Sequence, residues 1–139
     1  MSPRFLLDTN VFSEPLRPIP NSNVMEMLRQ HESEIATATV VYHEILFGSY
    51  RLPDSKKRRT IEKYLQEVIQ PNIPILPYDN NAAKWHALER ARLVAIGKTP
   101  SFADGQIAAI AHVNDLILVT NNVSDYADFS QLQIDNWFL

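Results

Sequence analysis

Four carboxylates stand out in this sequence because they interrupt or directly follow apolar segments. Asp8 follows one short apolar run, and Glu44 precedes another. Asp104 lies between an aromatic residue and a long apolar run, and Asp125 comes shortly after the run that ends at Val119. Charged side chains in such settings are seldom ordinary solvated surface residues. Their type and placement predict a shared acidic pocket.

Carboxylates gathered in one pocket repel one another. At about 6 Å and an effective dielectric constant of about 20, each pair costs roughly 3 kcal/mol. Protonation of some of the carboxylates, or a bound divalent cation, would relieve this repulsion. Ligands that are all oxygen favour Mg²⁺ or Mn²⁺ over zinc. Such an ion can activate water and stabilise the charge that develops when a phosphodiester is hydrolysed.

The composition excludes several other kinds of site. The chain has 139 residues, no Cys and only three Gly. The absence of Cys excludes a disulfide framework, a thiolate zinc site and a cysteine nucleophile, and neither a P-loop nor a G-x-G-x-x-G motif is present. No run is long and apolar enough for a membrane span, and no export signal is recognisable. We therefore expect a cytoplasmic protein with a single domain over residues 1–139.

The net charge of −3 by itself argues against a dedicated nucleic-acid binder. Cations bound by some of the 16 acidic residues would remove that objection. The distribution of the carboxylates along the chain is therefore more informative than their total.

Short apolar runs alternate with amphipathic segments along the whole chain. Five runs predict strands, at 4–7, 35–38, 73–76, 116–119 and 133–137. Longer segments predict helices at about 39–51, 55–69, 80–96 and 101–112, with a further helix capped by Asn23. This alternation predicts a parallel sheet covered by helices on both faces. In such sheets ligands bind beyond the carboxyl ends of the strands.

Some helix details follow from side-chain patterns. Thr39 and Ser101 are predicted N-caps, and Asp79 or Asn80 is predicted to cap the helix that ends near Ile96. Within the helix over 55–69, three residues are expected to face the core: Ile61, Leu65 and Val68.

The predicted elements can bring the four carboxylates to one edge of the sheet. Asp8 and Asp125 each follow a strand, and Glu44 and Asp104 lie in helices that a right-handed parallel arrangement can bring nearby. Each residue also has an ordinary alternative. Asp104 can be a helix-start carboxylate, Asp8 and Asp125 can be turn formers, and Glu44 can be a solvated helix residue. Their joint placement favours the shared site.

Five segments, taken in order over nearly the whole chain, resemble the PIN-domain ribonucleases of the VapC/FitB toxin type. They are 5–10, 41–48, 100–109, 118–126 and the ending Asp135-Asn136-Trp137. The resemblance implies a PIN-domain-like three-layer α/β sandwich with a central, mostly parallel sheet and helices on both faces. It implies an endoribonuclease that depends on Mg²⁺ or Mn²⁺. It also implies the toxin of a toxin–antitoxin pair, which forms a homodimer and binds a cognate antitoxin.

Carried over by position, Asp8, Glu44 and Asp104 match the three core acidic residues of the family. The resemblance implies that Asp8 and Asp104 hold the metal directly and that Glu44 is a ligand or orients the attacking water. Some relatives have their fourth acidic residue where this chain has Asn122, and others have it where this chain has Asp125. The fourth ligand is therefore Asp125, acting directly or through water, or is absent.

Four polar neighbours are candidates to fix the geometry of these carboxylates: Thr9, Asn10, Thr120 and Asn122. Five basic residues are candidates for contact with RNA or a protein partner: Lys56, Lys57, Arg58, Arg59 and Lys98. For the run over 56–59, the ordinary alternative is a solvated helix face.

Three functions compete at this point. The first is a metal-dependent endoribonuclease acting as a toxin. The second is a phosphotransfer module in which Asp8 is the phosphorylated nucleophile, although that class would want a second Asp where this chain has Asn10. The third is a catalytically weak or silent protein of the same fold that acts mainly through its antitoxin complex.

Overall fold

A computed structural model describes residues 2–139, so that Met1, the first residue of the predicted domain, lies outside the described residues. The sheet consists of β1 (Phe5–Leu7), β2 (Ile35–Ala38), β3 (Ile75–Leu76), β4 (Ile117–Val119) and β5 (Ile134–Asp135). Their order is β3-β2-β1-β4-β5, and every pair is parallel. Leu7 pairs with Thr37 on one side and with Val119 on the other. The carboxyl ends of β1 and β4 are therefore adjacent.

Helices connect the strands. They are α1 (Thr9–Phe12), α2 (Ser22–Gln30), α3 (Thr39–Tyr50), α4 (Lys56–Tyr64), α5 (Gln70–Asn72), α6 (Asn80–Ala95), α7 (Phe102–Val113) and α8 (Val123–Tyr126). A 3₁₀ turn spans Glu14–Leu16, and a π-helical turn over Leu65–Ile69 joins α4 to α5. Within residues 2–139, none of the helices combines the length and apolar character that crossing a bilayer would require.

Both faces of the central strands are covered. Every residue of β1 and β2 is buried, and because successive side chains of a strand point to opposite faces, helices must cover both sides. The largest fully buried side chains come from the strands, the helices and the C-terminal segment, and include Leu6, Leu118, Ile110, Leu93 and Trp137. The predicted α/β architecture is confirmed.

Two of the predicted helix N-caps were wrong, and the predicted N-caps of α6 and α7 are confirmed. The helix expected to start after Asn23 is capped by Asn21, whose side chain accepts a hydrogen bond from the backbone N–H of Val24. The Asn23 amide instead donates to the backbone oxygens of Trp137 and Leu139. Helix α3 begins at Thr39 itself, after Ala38, with no side-chain cap. Asp79 and Ser101 cap α6 and α7 as predicted.

The π-helical turn explains why Val68 does not face the core. Leu65 is buried as expected, but Val68 is 47% exposed and Ile69 is buried in its place. A π turn contains an extra residue per turn, which rotates the following side chains relative to the α-helical pattern. The sequence pattern assumed α-helical spacing throughout and therefore assigned the wrong residue to the core.

Candidate active site

Asp8 is held at the carboxyl end of β1 by three hydrogen bonds. It is 5% exposed and caps α1, with Oδ1 accepting from the backbone N–H of Thr9 at 2.8 Å. Its Oδ2 accepts from the Thr120 hydroxyl at 2.8 Å and from the Tyr126 hydroxyl at 3.2 Å. Thr120 follows β4, so the parallel pairing of β1 and β4 places these two residues side by side.

Asp104 reaches the same place from the first turn of α7. Its backbone N–H donates to the Ser101 hydroxyl at 3.1 Å, and its Oδ1 lies 3.2 Å from the Tyr126 hydroxyl. One phenol therefore lies between the carboxylates of Asp8 and Asp104, and its single proton is shared by two acceptors. Tyr126 is 1% exposed and ends α8.

Tyr126 was missed in the sequence analysis. A buried tyrosine hydroxyl usually has a hydrogen-bond partner. The sequence does contain a signal for this role. Tyr126 directly follows Asp125, in a segment that is expected to return to the sheet edge, and it carries a hydroxyl on an aromatic ring. Burial and the charges of Asp8 and Asp104 raise the pKa of Tyr126 far above its ordinary value, so its hydroxyl stays protonated and remains a donor.

The local electrostatics indicate uncompensated negative charge. Burial raises the pKa of Asp104, and the charges of Asp8 and Asp125 act in the same direction, while hydrogen bonds from Ser101 and Tyr126 act against it. Asp125 is exposed in α8 but lies close enough to affect Asp104 electrostatically. Within the part of the chain that the structure describes, no Lys, Arg or His forms an ion pair with Asp8, Asp104 or Asp125.

Glu44 stands apart from this cluster. It is exposed on α3 and lines a cleft with Ser13 and Arg17. Among residues 2–139, no three acidic or imidazole side chains are close enough together to hold a metal ion as they stand. The structure thus joins Asp8 with Asp104, brings Asp125 nearby, and leaves Glu44 outside this cluster, in the wall of a separate cleft.

The donor set nevertheless fits a hard divalent cation. The paired carboxylates offer only oxygen, and they have no cationic partner among the described residues. Asp8 and Asp104 are the residues that would hold such an ion.

The four polar neighbours differ in what they contact. Thr120 donates to Asp8 and accepts from the backbone N–H of Asn122 at 3.0 Å. The Asn10 side chain accepts from the backbone N–H of Asn121 at 3.0 Å, which ties α1 to the loop after β4. Thr9 contributes its backbone N–H to Asp8. Thr120 is thus the one whose side chain contacts a carboxylate of the cluster directly.

The basic residues separate into paired and unpaired groups. Arg58 pairs with Glu62, Arg59 with Asp54, and Lys98 with Asp128 at 3.1 Å. Lys56 and Lys57 have no ion pair within residues 2–139 and line a cavity beside Leu16. Only Lys57 of the five also lines the cleft that contains Glu44.

Comparison with known proteins places this geometry in a family. The PIN domain model matches residues 5–130. The chain is 35% identical over 124 residues to Toxin FitB of Neisseria gonorrhoeae, covering 87% of this chain and 89% of that protein. It is 28% identical to VapC ribonuclease Y4jK of Sinorhizobium fredii, with 87% and 89% of the two chains covered.

A solved structure agrees with these relatives. The structure of FitAB bound to a DNA fragment superposes with a TM-score of 0.87 at 30% identity, covering 97% of this chain and 96% of that chain. The chain therefore belongs to the PIN-domain family, as a homologue of the VapC/FitB toxins.

Proposed function

We propose that this protein is a metal-dependent endoribonuclease that acts as the toxin of a toxin–antitoxin pair. The observation that carries the proposal is the pair of the buried Asp8 and the partly buried Asp104, joined by Tyr126 at the carboxyl edge of the sheet without a cationic partner among the described residues. The similarity to proteins named as a VapC ribonuclease and a toxin supports the same function. Hydrolysis of a phosphodiester is the chemistry that such a carboxylate pair serves when it holds a metal ion.

The metal is proposed to be Mg²⁺ or Mn²⁺ because every donor is an oxygen. When bound, it supplies an activated water and stabilises charge on the scissile phosphate. Asp8 and Asp104 would hold it, and the hydrogen bonds from Thr120, Thr9 and Tyr126 keep their oxygens in place before it binds.

The remaining carboxylates have proposed roles that follow from their exposure. Glu44 is solvent-exposed, so its carboxylate is available to orient the attacking water and accept its proton. Asp125 adds negative charge beside Asp104 and takes the position of the fourth acidic residue, acting through water. Asn122 contributes its backbone N–H to Thr120, and we assign it no ligand role.

We also propose RNA as the substrate, a cognate antitoxin protein as a partner, a homodimer and a cytoplasmic location. The solved FitAB structure contains a two-component complex bound to DNA, which supports a partner for this chain too. Asp54 and Asp128 pair with Arg59 and Lys98, so those basic residues are less available to phosphates than Lys56 and Lys57.

The test compares cleavage of a labelled single-stranded RNA by the wild-type protein and by Asp8→Asn and Asp104→Asn, with Mg²⁺ or Mn²⁺ present. We expect losses of at least about 100-fold, since a residue that orients a ligand already contributes roughly 10- to 100-fold. Asp115→Asn is the matched control. Asp115 is exposed and has a φ of 57°, a conformation that Asn tolerates.

Equal cleavage by wild type and Asp8→Asn would overturn the proposal. A wild-type protein that binds its partner but cleaves no RNA with either metal would favour the catalytically silent alternative. A stable phosphate on Asp8 would favour phosphotransfer.

A further inference from the structure

A cleft of ≈ 640 Å³ lies between the 3₁₀ turn, α3 and the start of α4. We call it the α3 cleft. Glu44 forms part of its wall, so the cleft reaches the carboxylate assigned above to the attacking water. Its floor is aliphatic and includes Leu16, Ile45 and Ile61. The cleft is therefore a surface that a substrate would cover as it extends away from the site.

Three cationic side chains line the α3 cleft: Arg17, Arg51 and Lys57. Within residues 2–139, neither Arg51 nor Lys57 forms an ion pair, and the Arg51 guanidinium lies over the Phe47 ring at 5.1 Å. Arg17 lies 3.8 Å from Glu14 and is largely exposed. These residues come from three separate segments of a chain whose net charge is −3. The fold thus concentrates positive charge at this one place.

Ser49 adds an unused donor to the same wall. It lines the cleft, is fully buried, and its hydroxyl has no hydrogen-bond partner among the described residues. Buried polar side chains are usually hydrogen-bonded, so each exception calls for an explanation. A ligand oxygen that accepts from this hydroxyl after a small outward movement of the cleft wall supplies one.

We propose that the α3 cleft binds backbone phosphates of a single-stranded RNA next to the bond that is cut. This inference rests on the proposed ribonuclease function, because Glu44 links the cleft to that site. Phosphate contacts are made by Arg and Lys side chains and carry no sequence information. The aliphatic floor would contact the sugar and base faces without hydrogen bonds. The cleft therefore contributes affinity and direction to the RNA strand rather than base specificity.

The neighbouring carboxylate favours RNA over an acidic protein segment through its proposed role in hydrolysis. The cations line a wall that continues to a carboxylate assigned to phosphodiester hydrolysis, and a substrate strand carries anions at every residue. An acidic peptide would meet the same cations and the same repulsion from Glu44 as an RNA strand, so the proposed phosphodiester hydrolysis beside the cleft is what favours RNA. Binding of such a peptide is therefore included as a competing outcome of the test.

The experiment measures binding of a fluorescein-labelled single-stranded RNA of mixed sequence by anisotropy, with the full chain and with EDTA present to prevent cleavage. Arg51→Ala and Lys57→Ala are compared with Lys63→Ala and Lys84→Ala. The two controls also remove exposed cations but do not line the cleft. Titrations run from about 50 to 200 mM salt, where phosphate contacts dominate the affinity.

Each cleft variant should weaken binding by about fivefold, which corresponds to about 1 kcal/mol of binding free energy. The double variant should lower the slope of log K against log salt by about 1.4, because each phosphate contact to a single strand contributes about 0.7. Binding by the two control variants should stay within about twofold of wild type. Ser49→Ala should weaken RNA binding without lowering the melting temperature, since the hydroxyl has no partner in the free protein.

Cleft variants that bind RNA as tightly as the controls would overturn the proposal, as would a wild type that binds no RNA at any salt concentration. It would also be overturned if the cleft variants lost binding to polyglutamate but kept binding to RNA.

The two proposals fail in distinguishable ways. A wild type that cleaves RNA alongside cleft variants with unchanged binding would refute the cleft alone. Cleft-dependent binding without cleavage in Mg²⁺ or Mn²⁺ would refute the ribonuclease alone.

Discussion

The carboxylates of Asp8 and Asp104 accept hydrogen bonds from the same hydroxyl, that of Tyr126, each at 3.2 Å. Asp8 comes from the end of β1 and Asp104 from the first turn of α7, so the phenol joins the sheet edge to the helix layer. A hydroxyl has one proton, so at any moment one carboxylate receives it and the other is less well stabilised. A bound cation would satisfy both.

Tyr126→Phe removes this shared donor while keeping the ring. Without metal, we expect the free energy of unfolding to fall by about 1 to 2 kcal/mol, because the buried Asp8 carboxylate and the partly buried Asp104 carboxylate lose the donor that they share. Affinity for Mn²⁺ should fall by about tenfold because the ligands are no longer held in place. Urea denaturation in EDTA and Mn²⁺ titration by electron paramagnetic resonance measure the two effects.

Tyr50→Phe is the control because Tyr50 is exposed. A Tyr126→Phe protein with unchanged metal affinity would show that the phenol is a packing residue only.

Thr120→Val tests the hydroxyl that fixes Asp8. Thr120 is fully buried, donates to Asp8 and accepts from the backbone N–H of Asn122. Replacing the hydroxyl by a methyl group should lower stability by about 1 to 3 kcal/mol and RNA cleavage by about 10- to 100-fold. Thr120→Ser keeps the hydroxyl and should restore most of the cleavage. Failure of the serine variant to outperform the valine variant would contradict this role.

Gly105→Ala should disturb the packing of α7 against α6. A Cβ atom at Gly105 would overlap the imidazole of His86, which is itself held by a 2.8 Å hydrogen bond between its Nδ1 and the Tyr78 hydroxyl. We expect a loss of about 1 to 3 kcal/mol in thermal or urea unfolding. Because Gly105 adjoins Asp104, RNA cleavage should fall as well.

Gly48→Ala is the matched control for that change. Gly48 is also inside a helix, but nothing lies within 4 Å of the position that a Cβ would take. Alanine there should raise stability by about 0.5 to 1 kcal/mol. Equal effects of the two substitutions would show that the His86 contact is unimportant.

Glu89 lies away from the candidate active site, and its hydrogen bonds predict that the stability of the fold depends on pH. Its carboxylate accepts from Arg92 at 3.0 Å and from the backbone N–H of Ser130 at 2.6 Å. The Arg92 guanidinium and Ser130, acting against the desolvation of a buried group, lower the pKa of Glu89 to about 2. A carboxyl group whose pKa is lower in the folded than in the unfolded state stabilises the fold above its unfolded pKa of about 4.3. That stabilisation disappears as the pH falls towards 2.

Glu89→Gln should therefore cost about 2 to 3 kcal/mol at pH 7. The difference from wild type should shrink steadily as the pH falls below about 4.3. Urea denaturation of both proteins at several pH values measures this difference in the free energy of unfolding. A difference that stays constant with pH would mean that the loss comes from packing rather than from the ionised carboxylate.

Local patterns in the sequence were enough to predict the fold class and to single out Asp8 and Asp104, which the structure brings together. The apolar runs of β1, β2 and β4 predicted buried strands, and the intervening amphipathic segments predicted the covering helices. The carboxyl ends of parallel strands meet at one edge, so the position of Asp8 in the chain was enough to place it there. These inferences succeed because burial and periodicity are properties of neighbouring residues.

Contacts between distant segments were decided by the tertiary structure. The strand order puts β4 beside β1, and only this pairing brings Thr120 and Tyr126 to Asp8. A π turn exchanged Val68 for Ile69 in the core, which a pattern based on α-helical spacing cannot reveal. Folding also divided the basic run, because Arg58 and Arg59 pair with local acids while Lys57 joins cations from other segments. Which charges remain unpaired depends on distances in space, and a linear sequence does not contain them.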